Sequence, residues 1–112
     1  MEPLYIYEDL YVEFLNTRDS ADDSYLNSGT CTYTLYAVTT VSGAEVETAV
    51  SSGTGTLSYV AASNGIYRGT IESTITATLT VGAKYRVRIV FVQGAYNSRR
   101  KLDYRAMERG RN

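Results

Sequence analysis

The chain has 112 residues, the length of one domain, with an ordinary globular composition of 44% hydrophobic and 21% charged residues. One cysteine and no histidine exclude an intramolecular disulfide, the usual zinc sites and any catalytic pair that needs histidine. From the length and these residue counts we predict a single domain over residues 1–112 that is not an enzyme, with no catalytic residues, no metal and no cofactor. The formal net charge is −1.

Charge is distributed unevenly along the chain. Residues 1–72 carry ten acidic and two basic side chains, a net charge of −8, whereas residues 73–112 carry nine basic and two acidic side chains, a net charge of +7. If these charges segregate in space, the surface favours head-to-tail contacts between copies or docking on a charged partner. If acidic and basic strands are neighbours, the charges neutralise one another locally.

The N-terminal residues have neither a basic start nor an apolar run, so we predict no signal peptide and a chain that folds in the cytoplasm. No segment has the length of apolar sequence that a membrane helix needs. We interpret residues 1–9 as a flexible arm that adds a strand to a neighbour's sheet edge. Further along, Asp19, Asp22 and Asp23 indicate a solvated loop, since three carboxylates supply only part of a calcium shell.

Apolar residues alternate with polar ones along most of the chain, the pattern of half-buried strands. The alternation and the turn signals predict strands at Leu10–Phe14, Thr30–Ala37, Ala44–Thr48 with Val46 inward, 56–61, 66–71, 74–81 and Lys84–Phe91, and near 102–106. Ser42-Gly43 and Asn64-Gly65 predict turns, and Ser51–Gly55 a flexible break. Seven or eight short strands are typical of an antiparallel sandwich or barrel.

The strand Lys84–Phe91 has the clearest pattern, with an apolar face opposite Lys84, Arg86 and Arg88. We predict that these three bases meet an acidic patch on a neighbouring subunit. The alternative is that they pair across strands with Glu45 and Glu47. Arg99 to Lys101 and residues 107–112 look like basic flanks, the latter a C-terminal tail, and Lys101 faces outward if the last strand begins there. Together with Lys84, Arg86 and Arg88, the bases at 99–101 could bind a phosphate backbone, but the acidic strands would repel a polyanion. Cys31 lies on an apolar face, which indicates a buried structural thiol.

The segment from Leu79 to Ile89, with the order Leu79, Gly82, Tyr85 before an alternating strand, resembles the tyrosine corner of immunoglobulin-like β-sandwiches. The order of elements over residues 10–106 also resembles small phage virion proteins, including the immunoglobulin-like N-terminal domain of phage baseplate upper proteins. The resemblance implies an all-β, antiparallel immunoglobulin-like sandwich in which Tyr85 has a structural role. The chain lacks the Cys…Trp…Cys core of true immunoglobulin domains.

The same resemblance implies a non-enzymatic structural or assembly protein of the virion, in the head or neck as a decoration, minor capsid or connector component. The alternatives are a tail or baseplate component and a surface carbohydrate-binding or adhesion module that uses exposed tyrosines. Expected partners are capsid, portal or tail subunits and further copies of the chain, with neither a membrane nor nucleic acid among them. The predicted interface residues are Glu2, Glu8, Asp9, Glu13, Lys84, Arg86, Arg88, Arg105 and Arg109.

Overall fold

The computed structural model of the protein describes residues 2–14, 28–61, 65–94 and 96–108. These residues form seven strands and one short helix, so the predicted all-β class is confirmed. In chain order the elements are β1 (Glu2–Tyr5), β2 (Leu10–Phe14), β3 (Thr30–Val41), β4 (Ala44–Tyr59), β5 (Tyr67–Ile71), α1 (Ser73–Thr76), β6 (Lys84–Gln93) and β7 (Tyr96–Met107).

The strands form one sheet in the order β1-β7-β6-β3-β4-β5-β2. All neighbouring pairs are antiparallel except β1 and β7, which run parallel. The two end strands, β1 and β2, are separated by only four residues of chain. The sheet therefore curls until its ends come near each other, and the result is close to a barrel around one core.

The core forms because the apolar side of each strand faces the interior. On β3 the inward residues are Cys31, Tyr33 and Leu35, and on β6 they are Tyr85, Val87, Ile89 and Phe91; all of them are buried. The ring of Phe91 stacks on Phe14 of β2 at 5.7 Å and lies 5.1 Å from the ring of Tyr67 of β5. These aromatic contacts hold β2 and β5 against β6 across the interior.

The N-terminal segment is an integral strand, and the prediction of a flexible arm at residues 1–9 is wrong for its described part. Residues 2–5 form β1, which pairs with Tyr104 to Met107 of β7. Leu4 is fully buried and Ile6 nearly so. Burial of these apolar side chains holds the segment on its own domain rather than leaving it for a neighbour.

The predicted strand at 74–81 is also wrong, since its first residues form α1 and the rest are turns. The Asp9 carboxylate accepts a hydrogen bond of 2.8 Å from the amide of Ser73, at the start of the helix. The hydroxyl of Thr76, which is buried, donates to the carbonyl of Glu8 at 2.8 Å. Contacts with the β1–β2 connection therefore determine this conformation, and the local alternation of the sequence does not.

The β3–β4 hairpin is longer than the sequence suggested. The predicted turn at Ser42-Gly43 is present, and both residues have positive φ, as the tightest hairpin turns require. The predicted break at Ser51–Gly55 is instead part of β4. Val46 points to solvent although it was predicted to face inward, because β6 pairs with β3 only as far as Val38. Within the described ranges, no core residues cover the hairpin beyond that point.

Candidate functional site

Arg86 lies at the centre of an ion-pair cluster on the outer face of the sheet. Its Nε donates to Asp103 Oδ1 at 2.6 Å, its Nη1 to Glu47 Oε2 at 2.7 Å, and its Nη2 to Glu45 Oε1 at 3.1 Å. The Arg86 residue is only 4% exposed. The guanidinium therefore has a carboxylate partner on each side and is not presented to another molecule.

The two neighbouring bases on β6 join the same cluster. Lys84 Nζ donates to Glu45 at 2.9 Å, and Arg88 makes two hydrogen bonds of 2.6 Å to Glu47. We call Lys84, Arg86, Arg88, Glu45, Glu47 and Asp103 the Arg86 cluster. The prediction that these bases meet a partner's acidic patch is thus corrected, because all three, Arg88 included, make the alternative pairing with Glu45 or Glu47.

The cluster shifts the titration of its carboxylates. The hydrogen bonds from Arg88 and Arg86 lower the pKa of Glu47 from its ordinary 4.5 to about 2. The pKa of Glu45 is lowered chiefly by the hydrogen bond from Lys84, and that of Asp103 by the hydrogen bond from Arg86. The pKa of Arg86 is raised, chiefly by Asp103. The three carboxylates and Arg86 therefore stay charged over the ordinary pH range.

These shifts predict a pH dependence of stability. A carboxylate with a depressed pKa stabilises the fold above its unfolded pKa, and that contribution is lost as pH falls through the folded pKa. For Glu47 the loss is expected between about pH 4.5 and about pH 2. We expect Glu47→Gln to flatten the fall in unfolding free energy over this window, measured by urea denaturation at a series of pH values. Glu72→Gln, which removes an exposed carboxylate outside the cluster, is the control; equal slopes for both variants would contradict the assignment.

The same face carries a basic groove next to the cluster. The groove has a volume of about 480 Å³, and its side chains include Thr32, Thr34 and Tyr36 of β3, Arg88 of β6, and Arg99 and Lys101 of β7. Arg88 stands opposite Lys101 in the register of β6 and β7, and Val90 stands opposite Arg99. Successive outward residues of a strand lie about 7 Å apart, so the three cations line one continuous wall.

Arg99 and Lys101 differ from the bases of the Arg86 cluster in having no ion pair with any carboxylate of the described residues. Arg88 shares the Glu47 carboxylate with Arg86. The neighbouring Arg100 faces the other way, with its guanidinium 5.4 Å from the centre of the Phe14 ring. The groove thus has an excess of positive charge, with threonine hydroxyls on the opposite wall that can donate hydrogen bonds.

The other predicted interface residues have separate positions. Glu2 is exposed on β1, and the Glu13 carboxylate pairs with Arg68 of β5. Asp9 accepts from the Ser73 amide, as described above, and the Glu8 carbonyl binds Thr76. Arg105 donates to the carbonyl of Gly82 at 2.7 Å. Arg109, like Asp19, Asp22 and Asp23, lies outside the described residues. The structure therefore does not gather these predicted residues into one site.

The residues of the predicted tyrosine corner lie around the start of β6. Leu79 is buried, and Gly82 has a φ of 88°, which only glycine adopts easily. The hydroxyl of Tyr85 accepts a hydrogen bond of 2.8 Å from the amide of Thr80. Tyr85 thereby connects β6 to the segment that enters it, a role in the fold rather than in binding.

Two remaining features bear on chemistry. Cys31 is buried, and burial raises the pKa of its thiol to about 11, which leaves it a weak nucleophile. Tyr7 and Tyr11 are 63% and 72% exposed, and Tyr7 has a positive φ of 67°, unusual for a residue with a side chain.

Over the described ranges, no three His, Cys, Asp or Glu side chains come together as metal ligands would.

The sequence placed Lys101 on the outer side of the last strand, but Arg99 was interpreted as part of a frayed flank, so the groove that the two residues line was not predicted. The signal that identifies Arg99 is the same alternation of Leu102, Tyr104 and Ala106, which extends backwards and places Arg99 on the same side as Lys101. No family model matches the chain, and no curated protein or solved structure is significantly similar to it. None of the helices in the described ranges has the length and apolarity needed to cross a membrane.

Proposed function

We propose that the sheet is an immunoglobulin-like sandwich, with β1, β7, β6, β3 and the start of β4 in one layer and β2 and β5 in the other. Support comes from β4, which pairs with β3 as far as Leu57 and with β5 at Ser58 and Tyr59. The contacts of Phe14 and Tyr67 with Phe91 are also those expected between two facing layers. The bond between Tyr85 and the Thr80 amide is consistent with a tyrosine corner.

We propose further that the protein is a non-enzymatic assembly module that binds acidic surfaces of partner proteins through the basic groove. The observation that carries this proposal is the contrast on one sheet face. Arg86 is surrounded by three carboxylates, whereas Arg99 and Lys101 have no ion pair among the described residues. Carboxylates of a partner protein would form ion pairs with Arg99 and Lys101, as the chain's own carboxylates do with Arg86.

The setting we propose is a phage virion, on the head or neck, and it rests on the sequence resemblance alone. In a virion, each weak ionic contact is repeated over many copies, so modest affinities add through avidity. The partners would be capsid, portal or tail subunits or further copies of this chain. A tail or baseplate position would use the same groove.

The proposal is tested by sedimentation velocity of the purified chain, alone and with candidate capsid, portal and tail proteins. We expect association that grows with concentration and weakens between about 0.05 M and about 0.5 M salt, because exposed ionic contacts are screened. Arg99→Gln/Lys101→Gln should weaken this association. Arg68→Gln, which removes an exposed cation on β5, outside the groove, should not. A chain that stays monomeric and binds no virion protein would remove the proposal.

A second candidate function is carbohydrate binding, favoured by the exposed rings of Tyr7 and Tyr11. Aromatic rings offer flat apolar faces on which sugars stack. This function predicts saturable glycan binding that is lost in Tyr7→Ala/Tyr11→Ala and kept in Arg99→Gln/Lys101→Gln. The opposite dependence would favour the basic groove.

A further inference from the structure

The edge of β7 beside the basic groove is half covered. On one side β7 pairs with β6 along residues 96–105. On its other side β1 pairs with Tyr104 to Met107 and reaches no further. Within the described residues, positions 97–103 of β7 therefore have a neighbouring strand on one side only.

The backbone groups that face this edge belong to known residues. In an antiparallel pair, the amide and carbonyl of one residue point to the partner strand and those of the next residue point away. The Ala106 amide donates to Ala83 on the β6 side, whereas the Met107 carbonyl accepts from Ile6 on the β1 side. The register of β6 and β7 has no shift, so Asn97, Arg99, Lys101 and Asp103 direct their amides and carbonyls to the edge.

The side chains at this edge favour a neighbouring strand that is acidic. Arg99 and Lys101 lie on the outer face, and neither is in an ion pair with a described carboxylate. One strand further in, each base of β6 has an acidic partner on a nearby strand: Arg86 has Asp103 on the adjacent strand β7 and Glu47 on β4, which lies on the far side of β3. A strand next to β7 with acidic residues at alternate positions would extend this pattern to Arg99 and Lys101.

We propose that the β7 edge at 97–103 accepts an extended acidic segment of a partner protein as an added strand. The inference rests on the proposed assembly function and names how the partner is held. Backbone hydrogen bonds to Arg99 and Lys101 supply the register, and acidic side chains two residues apart pair with their cations. β1 already binds β7 in this way further along, so the edge accommodates a parallel neighbour.

The same charges explain why the edge does not pair indiscriminately. Basic side chains on an exposed strand disfavour pairing with another copy of that strand, because like charges would lie opposite each other. The cations of Arg99 and Lys101 attract an acidic strand, whereas they repel a basic strand and do not attract an apolar one. The edge is thus protected from self-pairing and open to one class of partner.

The probe for this site is a synthetic peptide with the sequence of residues 44–50, Ala-Glu-Val-Glu-Thr-Ala-Val, which carries glutamates at alternate positions. We expect saturable binding, and slower hydrogen exchange of the Arg99 and Lys101 amides when the peptide is bound. A peptide with both glutamates replaced by glutamine should bind at least about fivefold more weakly. No binding of the acidic peptide, or binding without protection of these two amides, would overturn the inference.

Two variants at one position separate backbone from charge. Lys101→Gln and Lys101→Pro both remove the cation, but only proline removes the amide that faces the edge, and it leaves the β6 hydrogen bonds intact. With unchanged folding by circular dichroism, we expect Lys101→Pro to bind the peptide more weakly than Lys101→Gln. Equal binding by the two variants would rule out strand addition while leaving the proposed groove function standing.

A single-stranded oligonucleotide tests whether the site instead selects any polyanion. We expect its binding to be weaker than that of the acidic peptide, and not to protect the Arg99 and Lys101 amides. Tighter binding of the oligonucleotide with loss in Arg99→Gln/Lys101→Gln would overturn the choice of a peptide partner. The assembly measured by sedimentation is an independent readout, so the two proposals can fail separately.

Discussion

Arg86→Met is expected to lower the free energy of unfolding by about 2 kcal/mol, less than the roughly 3–5 kcal/mol for breaking a fully buried ion pair, because water reaches the carboxylates that remain. Arg86 is 4% exposed and bonds to Glu45, Glu47 and Asp103. Without it, three carboxylates held near one another lose their shared counter-charge and repel. The change is measured by urea denaturation at neutral pH, where all three carboxylates are ionised.

The matched control is Arg88→Met, on the same strand and face and also bonded to Glu47, but with a side chain 45% exposed. We expect a much smaller loss of stability for it, because Glu47 keeps Arg86 as its counter-charge and the ion pair of a half-exposed arginine contributes little. Equal losses in the two variants would show that burial of Arg86 does not determine its contribution.

Leu4→Ala is expected to cost about 3 kcal/mol of unfolding free energy, the ordinary penalty for truncating a buried leucine. Leu4 is fully buried on β1, in a segment that the sequence suggested would be a free arm. Truncation leaves a cavity where β1 packs against the core. Thermal or urea unfolding of the variant gives the change directly.

Tyr7→Ala is the control for Leu4→Ala, because it truncates a larger side chain three residues away that is 63% exposed. It should change stability far less than Leu4→Ala. If both variants unfold like the unsubstituted chain, β1 contributes nothing to the domain and the arm interpretation is restored.

The strands that were predictable are those whose local pattern and final environment agree. Cys31 to Leu35 and Tyr85 to Phe91 alternate cleanly, and both strands have one side on the core. Alternation of period two reports a half-buried strand, so the inward residues follow from the sequence. The inward position of Tyr85 follows from the same alternation, whereas its structural role was implied by the resemblance to a tyrosine corner.

The elements that could not be predicted depend on contacts between distant residues. Ser73 and Thr76 form a helix because Asp9 and Glu8, more than sixty residues away, bond to them. Leu4 is buried because β7, at the far end of the chain, pairs with β1. Neither contact leaves a signal in the local periodicity, which at residues 74–81 favoured a strand.

The basic charge of the candidate site could be predicted from the sequence, but the ion-pair partners of its basic residues could not. The sequence indicated a basic row on one face of β6, and it raised the pairing of that row with Glu45 and Glu47 as an alternative. Deciding between them needs the strand order, because Asp103 reaches Arg86 from the adjacent strand β7 and Glu47 reaches it from β4 across β3. The outward position of Lys101 was predicted, but that of Arg99 was not, because β7 begins earlier than its apolar residues suggested.

The most direct test of the account measures stability and association together in Arg99→Gln/Lys101→Gln. The account predicts an unfolding free energy close to that of the unsubstituted chain, since neither side chain has an ion pair with the described residues, and a marked loss of association in sedimentation. Lost stability with unchanged association would contradict it, because these two cations would then serve the fold and not a partner.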